Sequence, residues 1–147
     1  MAIHLNHMKA DSTAYKTLMG VAQYVGATEI EPKLRHLIDI RTSQINGCAF
    51  CLDMHIREAR AAGESDQRIE LVPVWHETSI YTPAERAALA LTEKVTRIAD
   101  GGVPDELEAE LREHFSEKQI VQLLMTIIHI NAWNRLAVST GMQPAAR

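Results

Sequence analysis

The stretch "INGCAFCLDMHIREARAAG", residues 45–63, contains a helix stop, one helix and a second helix stop. Asn46-Gly47 ends a preceding helix, because glycine readily adopts the left-handed conformation in which helices terminate. The helix that follows carries both cysteines of the chain, and Gly63 ends it. Similar stop and start signals recur along the chain, and no segment alternates polar and apolar residues as a half-buried strand does. The sequence therefore predicts an all-α domain.

Start signals place the other helices around this stretch. Pro32 occupies the first turn of one helix, and two capping boxes, "TPAE" at 82–85 and "SEKQ" at 116–119, open two more. The final helix is apolar nearly all round from Ile120 to Ile130, as in a helix at the centre of a bundle or one shared with a second subunit. We expect an oligomer. The predicted helices, about seven in all, lie near 11–25, 32–46, 48–63, 65–73, 82–100, 104–115 and 116–140.

The composition is that of one ordinary domain, residues 1–147, without linker or repeat. The chain is 46% hydrophobic and 23% charged, as in a globular protein. Its net charge of -4 and lack of basic blocks exclude the electrostatic footprint of a nucleic-acid-binding protein. The longest apolar run, residues 123–130, is too short to cross a bilayer, and the N-terminus lacks a signal-peptide core. The sequence predicts a cytoplasmic protein that binds neither nucleic acid nor membrane.

Cys48, Cys51 and His55 form the candidate site on a single helix. At about 100° per residue, Cys51 and His55 lie about 300° and about 340° around the helix from Cys48, so all three point off one face. Both cysteines lie in the first turn, where free N–H groups and the helix dipole stabilise a thiolate. His55, one turn on, reaches the sulfur of Cys51. In a reducing cytosol, such a pair is more often redox-active or metal-binding than a stabilising crosslink.

Two other interpretations of the pair remain open. A structural zinc site would use the cysteines and His55, but it needs a fourth ligand that the fold must supply. The candidates for that ligand are His36, His76 and His129. The pair could also be inert, because free cysteine is often buried in cores. A haem attachment is excluded, since Leu52 stands where that motif requires histidine. His4 and His7 lie in a terminus that we expect to be frayed, without a role in the site.

Three segments together carry a resemblance to a known family: "RTSQINGCAFCLDMHIREAR" at 41–60, "YTPAERAALALTEKVTRI" at 81–98 and "INAWNRLA" at 130–137. With them the chain resembles the alkylhydroperoxidase-D-like branch of the carboxymuconolactone decarboxylase family, from about residue 32 to about residue 138. The Cys-x-x-Cys-x-x-x-His element with its upstream segment is fairly specific, whereas Cys-x-x-Cys alone is not. The resemblance implies an all-helical bundle assembled into trimers or hexamers.

The same resemblance implies a thiol-dependent peroxidase. It makes Cys51 the residue that attacks peroxide, Cys48 the residue that resolves the product, and His55 part of a proton relay. It implies hydrogen peroxide or an organic hydroperoxide as substrate and an external dithiol or a thioredoxin-like protein as reductant. No cofactor and no metal is expected.

One position departs from the family pattern. Where the family has a glutamate twelve residues before the first cysteine, this chain has His36. A neutral imidazole accepts a proton near pH 7, so His36 is a candidate to replace the glutamate in the relay; the alternative is a surface or interface histidine. Two other functions remain open, a decarboxylase of the wider family and a non-enzymatic redox or metal-binding module. The cysteine pair disfavours the decarboxylase, whose chemistry needs no dithiol.

Overall fold

Helices form the whole framework of the protein. The computed structural model describes residues 1–147, and it contains eight α-helices, two 3₁₀ segments and no strand. The all-α prediction is confirmed. The α-helices are α1 (His7–Ala10), α2 (Ser12–Gly26), α3 (Pro32–Asn46), α4 (Ala49–Ala61), α5 (Asp66–Leu71), α6 (Pro83–Thr96), α7 (Asp105–His114) and α8 (Glu117–Thr140), and the 3₁₀ segments are Val72–Glu77 and Ile98–Asp100.

Both predicted capping boxes are present and fix where α6 and α8 begin. The Thr82 hydroxyl accepts a hydrogen bond from the Glu85 N–H at 3.2 Å, and the Glu85 carboxylate accepts one from the Thr82 N–H at 2.8 Å. Ser116 and Gln119 make the equivalent reciprocal pair at 3.2 and 3.0 Å. Each box satisfies two N–H groups that have no partner within their helix. The α6 helix ends at Thr96, earlier than predicted, and its predicted end is a separate 3₁₀ turn.

The central helix of the bundle is α3, which packs against α4, α6 and α8. It is buried on two sides because its apolar residues extend beyond one stripe. Leu34 and Ile38 join a core shared with α6, α7 and α8, while Leu37 and Ile40 join a second core that includes Trp75 and residues of α4 to α6. Polar side chains on α3 therefore lie deep in the protein, where the site is found.

Many of the apolar residues of α8 are buried within the single chain, against the other helices of the bundle. Leu123, Ile127 and Ile130 are fully buried against the bundle. Val121 and Ile128, on the opposite side, remain 55% and 51% exposed. Thus α8 lies partly inside the bundle and carries an apolar strip on its outer side. No helix has the length and apolar character required to cross a membrane.

The N-terminus is ordered, and the expectation that it is frayed is wrong. The Ile3 N–H donates a hydrogen bond to the Ser139 carbonyl at 2.7 Å, and Thr140 Oγ1 lies 3.3 Å from His7 Nδ1. The last carbonyls of any helix lack partners within the helix. The end of α8 thus offers acceptors to the N-terminal segment, and His7 and Met8 of α1 line one cavity together with Cys51.

Candidate functional site

The junction between α3 and α4 positions the cysteines. Gly47 adopts the left-handed conformation, with φ 66° and ψ 31°, and reverses the chain directly after α3. The Cys48 N–H then donates to the Ser43 carbonyl at 3.0 Å. The Asn46 side-chain amide donates to the side chains of Asn131 and Asn134, each at 3.0 Å, and ties the end of α3 to α8. These bonds set the direction in which α4 starts.

Cys48 and Cys51 are joined as a disulfide at the start of α4. Cys48 is the N-cap residue, and its Sγ accepts a hydrogen bond from the Cys51 N–H at 3.3 Å. Both residues are buried and pack with Ile130 and Ala137 of α8. A helix N-terminus stabilises negative charge on sulfur, because its free N–H groups and its dipole point toward that sulfur. Cys51 lies in the first turn as predicted, whereas Cys48 has extended backbone and precedes the first helical residue, Ala49.

A cavity of about 480 Å³ opens beside the cysteines. Cys51 lines it, whereas Cys48 does not, so the two cysteines do not share one exposed face as the helical geometry predicted. One wall is apolar and includes Tyr15, Phe50, Met54 and Trp133. A second part of the lining is polar and forms a polar wall of His36 and Asp39 of α3, His55 and Glu58 of α4, and His129 of α8. The cavity thus combines an apolar surface, one sulfur and a cluster of proton-transfer groups.

His55 is the centre of the polar wall. Its Nδ1 lies 3.0 Å from Glu58 Oε2 and 3.5 Å from Asp39 Oδ2, and the histidine is buried. Burial alone would lower the pKa of His55, but the charges of Asp39 and Glu58 and the hydrogen bond to Glu58 outweigh it, so the pKa is raised. Burial raises the pKa of Asp39 to about 6. The pKa of Glu58 is lowered by its hydrogen bond to His55.

Three polar atoms on this wall have no hydrogen-bond partner. They are His36 Nδ1, Asp39 Oδ1 and His129 Nδ1, all enclosed by protein. Burial lowers the pKa of His36, although Glu58 opposes this effect. One nitrogen or oxygen atom from each of His36, Asp39 and His55 lies within 4.8 Å of the other two. Unpartnered buried polar atoms are rare in folded proteins, because each loses its hydrogen bonds to water without replacement.

His129 faces the same cavity from α8. Its Nε2 accepts a hydrogen bond at 2.8 Å from the indole N–H of Trp133, which is a donor only. The proton of the neutral ring therefore resides on Nδ1. Burial lowers the pKa of His129 to about 4, so this histidine is neutral around pH 7.

The fold is shared with similar proteins. Residues 13–94, more than half of the chain, match the model of the carboxymuconolactone decarboxylase family. The chain belongs to this family. The uncharacterized protein YdfG of Bacillus subtilis (strain 168) is 41% identical over the full length of both chains. Members of the carboxymuconolactone decarboxylase family include enzymes, so an enzymatic role is supported in general terms.

Solved structures show the same fold. The crystal structure of a protein of unknown function from Agrobacterium tumefaciens, suggested to be the antioxidant defence protein AhpD, is 43% identical, with a TM-score of 0.95 over 99% of both chains. The alkylhydroperoxidase AhpD core of a peroxidase-related protein from Ralstonia eutropha JMP134 is 20% identical, with a TM-score of 0.83 over 94% of this chain and 74% of that chain. The second likeness shows the fold alone. The predicted resemblance to AhpD-like proteins is confirmed.

Three of the four predicted site residues line the cavity together: Cys51, His55 and His36. The fourth, Cys48, lies directly behind Cys51 as its disulfide partner. His76, considered as a metal ligand, lies elsewhere, stacked on Trp75 and exposed. His7, expected to be a bystander, also lines the cavity.

Asp39 and Glu58 also line the cavity, although they were not predicted as site residues from the sequence. Asp39 is an acid within the apolar run "LIDI", one helical turn after His36, and Glu58 stands one turn after His55. Residues three apart on a helix share a face. An acid in an otherwise buried stripe, at that spacing from a candidate histidine, was the signal available in the sequence.

Proposed function

We propose that the protein is a thiol-dependent peroxidase that reduces hydroperoxides through Cys48 and Cys51. The observation that carries the proposal is the asymmetry of the pair, since Cys51 lines the cavity and Cys48 does not. Beside Cys51, the same cavity holds His55 and His36. Reduction of an O–O bond requires a nucleophile with proton-transfer groups beside it. This cavity offers both, together with an apolar surface for the substrate.

The proposed cycle has three steps. The Cys51 thiolate attacks one oxygen of R–O–O–H, the O–O bond breaks, and Cys51 becomes a sulfenic acid while the alcohol leaves after taking up a proton. The Cys48 thiol then condenses with the sulfenic acid, forming the disulfide and releasing water. An external dithiol finally reduces the disulfide by thiol–disulfide exchange and is itself oxidised to a disulfide.

The polar wall moves the protons of this cycle. His55 is held by Glu58 and Asp39, which orient its ring and stabilise its protonated form. In that form it donates the proton that the leaving oxygen needs. His36 takes the place of the family's glutamate and accepts the proton of the Cys48 thiol during condensation. No metal or prosthetic group takes part in the cycle.

The apolar wall indicates which peroxide fits best. Tyr15, Phe50, Met54 and Trp133 offer contact to a hydrocarbon chain or ring, and burial of such a group contributes roughly 25 cal/mol per Å². Hydrogen peroxide gains nothing from this surface. Organic hydroperoxides are therefore the preferred substrates. The reductant is a lipoyl-type dithiol or a thioredoxin-like protein, and the cycle belongs in the reducing cytosol.

The experiment compares the two cysteine variants after reduction and removal of the reductant. Both are treated with cumene hydroperoxide in the presence of dimedone and analysed by mass spectrometry. Cys48→Ser should carry the dimedone adduct on Cys51 but fail to turn over with dithiothreitol. Cys51→Ser should neither form an adduct nor consume peroxide. An adduct only in Cys51→Ser would reverse the roles, and a wild type that consumes no peroxide would refute the proposal.

A further inference from the structure

A compact set of metal-ligand side chains lies on the polar wall of the cavity, outside the cysteine pair. It consists of His36 and Asp39, one turn apart on α3, and His55 on α4. Two imidazoles and one carboxylate are a donor set that divalent transition-metal ions prefer. Because α3 and α4 are directly packed helices, the positions of the three residues are fixed by the bundle rather than by a loop.

The hydrogen bonding of these residues is incomplete in a way that points to a ligand. Asp39 is only 7% exposed, and its Oδ1 has no partner. His36 Nδ1 is likewise enclosed without a partner. A buried carboxylate oxygen and a buried ring nitrogen left unpaired are costly. No group of the protein bonds to either atom, whereas a bound cation would coordinate both residues.

The spacing allows one ion to reach all three residues. The ligand atoms lie within 4.8 Å of one another, and Asp39 Oδ2 lies 3.5 Å from His55 Nδ1. Ligand atoms held at about 2.1 Å from a zinc ion in tetrahedral geometry lie about 3.4 Å from one another. Side-chain movements of about 1 Å therefore bring the three residues onto one ion. The adjacent cavity gives the ion a route of entry and leaves a coordination position open toward it.

We propose that His36, Asp39 and His55 form a binding site for a divalent transition-metal ion of the zinc class. Glu58, whose Oε2 lies 3.0 Å from His55 Nδ1, offers a further oxygen ligand beside the three residues. This inference goes beyond the proposed peroxidase and departs from the sequence prediction that the protein holds no metal. Both functions use the same two histidines, so the metal-bound and peroxide-reducing forms exclude each other.

The test uses the oxidised protein, because the disulfide prevents the cysteines from binding metal. Untagged protein is stripped with chelator, its disulfide is verified by thiol counting, and Zn²⁺ is titrated by calorimetry. We expect one ion per chain. Co²⁺ should give the visible absorption of nitrogen and oxygen coordination without a sulfur charge-transfer band. Neither readout requires peroxidase activity, so failure of the proposed function leaves this result intact.

Three variants decide whether the site is the proposed one. His36→Ala and Asp39→Asn should each weaken Zn²⁺ binding on the order of 10- to 100-fold, whereas His76→Ala, a matched control outside the cavity, should bind like wild type. Should Asp39→Asn fail to fold, His36→Ala decides, because His36 is only partly buried. The proposal is overturned if oxidised wild type binds no Zn²⁺, or if His36→Ala binds it unchanged.

Discussion

At the scale of single residues, His129 shows how one hydrogen bond fixes a protonation state. Trp133 can only donate, so His129 Nε2 must accept, and a proton added there would break the bond. Burial acts in the same direction and holds the pKa of His129 at about 4. The imidazole of His129, beside the proposed peroxide site, is therefore uncharged and does not supply protons to the reaction.

This protonation state predicts a pH dependence of stability. Below its ordinary pKa of about 6.5, His129 binds a proton in the unfolded chain, whereas in the folded chain it does so only near pH 4. The unfolded state thus binds more protons in this window, and the free energy of unfolding falls as the pH drops from about 6.5 toward 4. In His129→Gln this loss should be smaller than in wild type, as measured by urea unfolding across the window.

The matched control is His114→Gln, which removes an exposed histidine near the end of α7. Its stability should follow the wild-type pH dependence. If His129→Gln loses as much stability as wild type between pH 6.5 and 4, the folded protein accommodates the charged ring, and the assignment of a neutral His129 is incorrect.

A second prediction at this scale concerns His36, where the family pattern has glutamate. If His36 is the proton acceptor of the condensation step, His36→Ala should slow peroxide turnover roughly 100-fold or more, the scale of losing a general base. His36→Glu should preserve or raise the rate at neutral pH. The measurement is peroxide consumption with saturating dithiothreitol. Wild-type turnover by His36→Ala would leave His55 as the only proton-transfer residue beside the cysteines.

At the scale of elements, the junction between α3 and α4 is the decisive feature of the fold. Gly47 turns the chain with a positive φ, and the bonds of Asn46 to α8 fix the end of α3. Together they set where α4 begins and therefore where both cysteines lie. A change at this junction affects the site without removing any of its side chains.

Gly47→Ala should destabilise the protein for conformational reasons alone. No atom lies within 4 Å of the added methyl group, but an alanine in the left-handed region costs roughly 1–2 kcal/mol. The melting temperature should fall by about 2–8 °C. The matched control is Gly20→Ala within α2, where the methyl group is equally free and the helical backbone favours alanine by about 0.5–1 kcal/mol. Equal melting temperatures for the two variants would contradict this account of the junction.

At the scale of the whole molecule, the outer side of α8 predicts self-association. Val121 and Ile128 lie seven residues apart on one strip and are half exposed in the single chain. Burying such a strip against another subunit removes apolar surface from water. The protein should form trimers or hexamers at micromolar concentration, as measured by light scattering.

A paired substitution tests whether this strip is the contact. The double variant Val121→Glu with Ile128→Glu should shift the protein toward monomer. The control, Val74→Glu with Ile98→Glu, adds the same charges at other exposed apolar positions and should leave the assembly unchanged. A wild type that is monomeric with a cooperative melt would refute the oligomer prediction.

Local signals in the sequence determined the helical framework and half of the site. These signals are the capping boxes at Thr82 and Ser116, the first-turn proline at 32 and the glycine at 47. Each acts within a few residues, so it can be recognised without knowing how the helices pack. The pairing of Cys48 with Cys51, and the turn that separates Cys51 from His55, are likewise fixed by the helix that carries them.

Only the tertiary structure decided which side chains meet across helices. Asp39 lies beside His55 because α3 packs on α4, and His129 joins the same cavity because α8 crosses both. Cys51 lines this cavity and Cys48 does not, although both are buried against α8. The ordered N-terminus depends on acceptors at the far end of the chain. These contacts join residues distant in sequence, and the burial that shifts their pKa values exists only once the helices have packed.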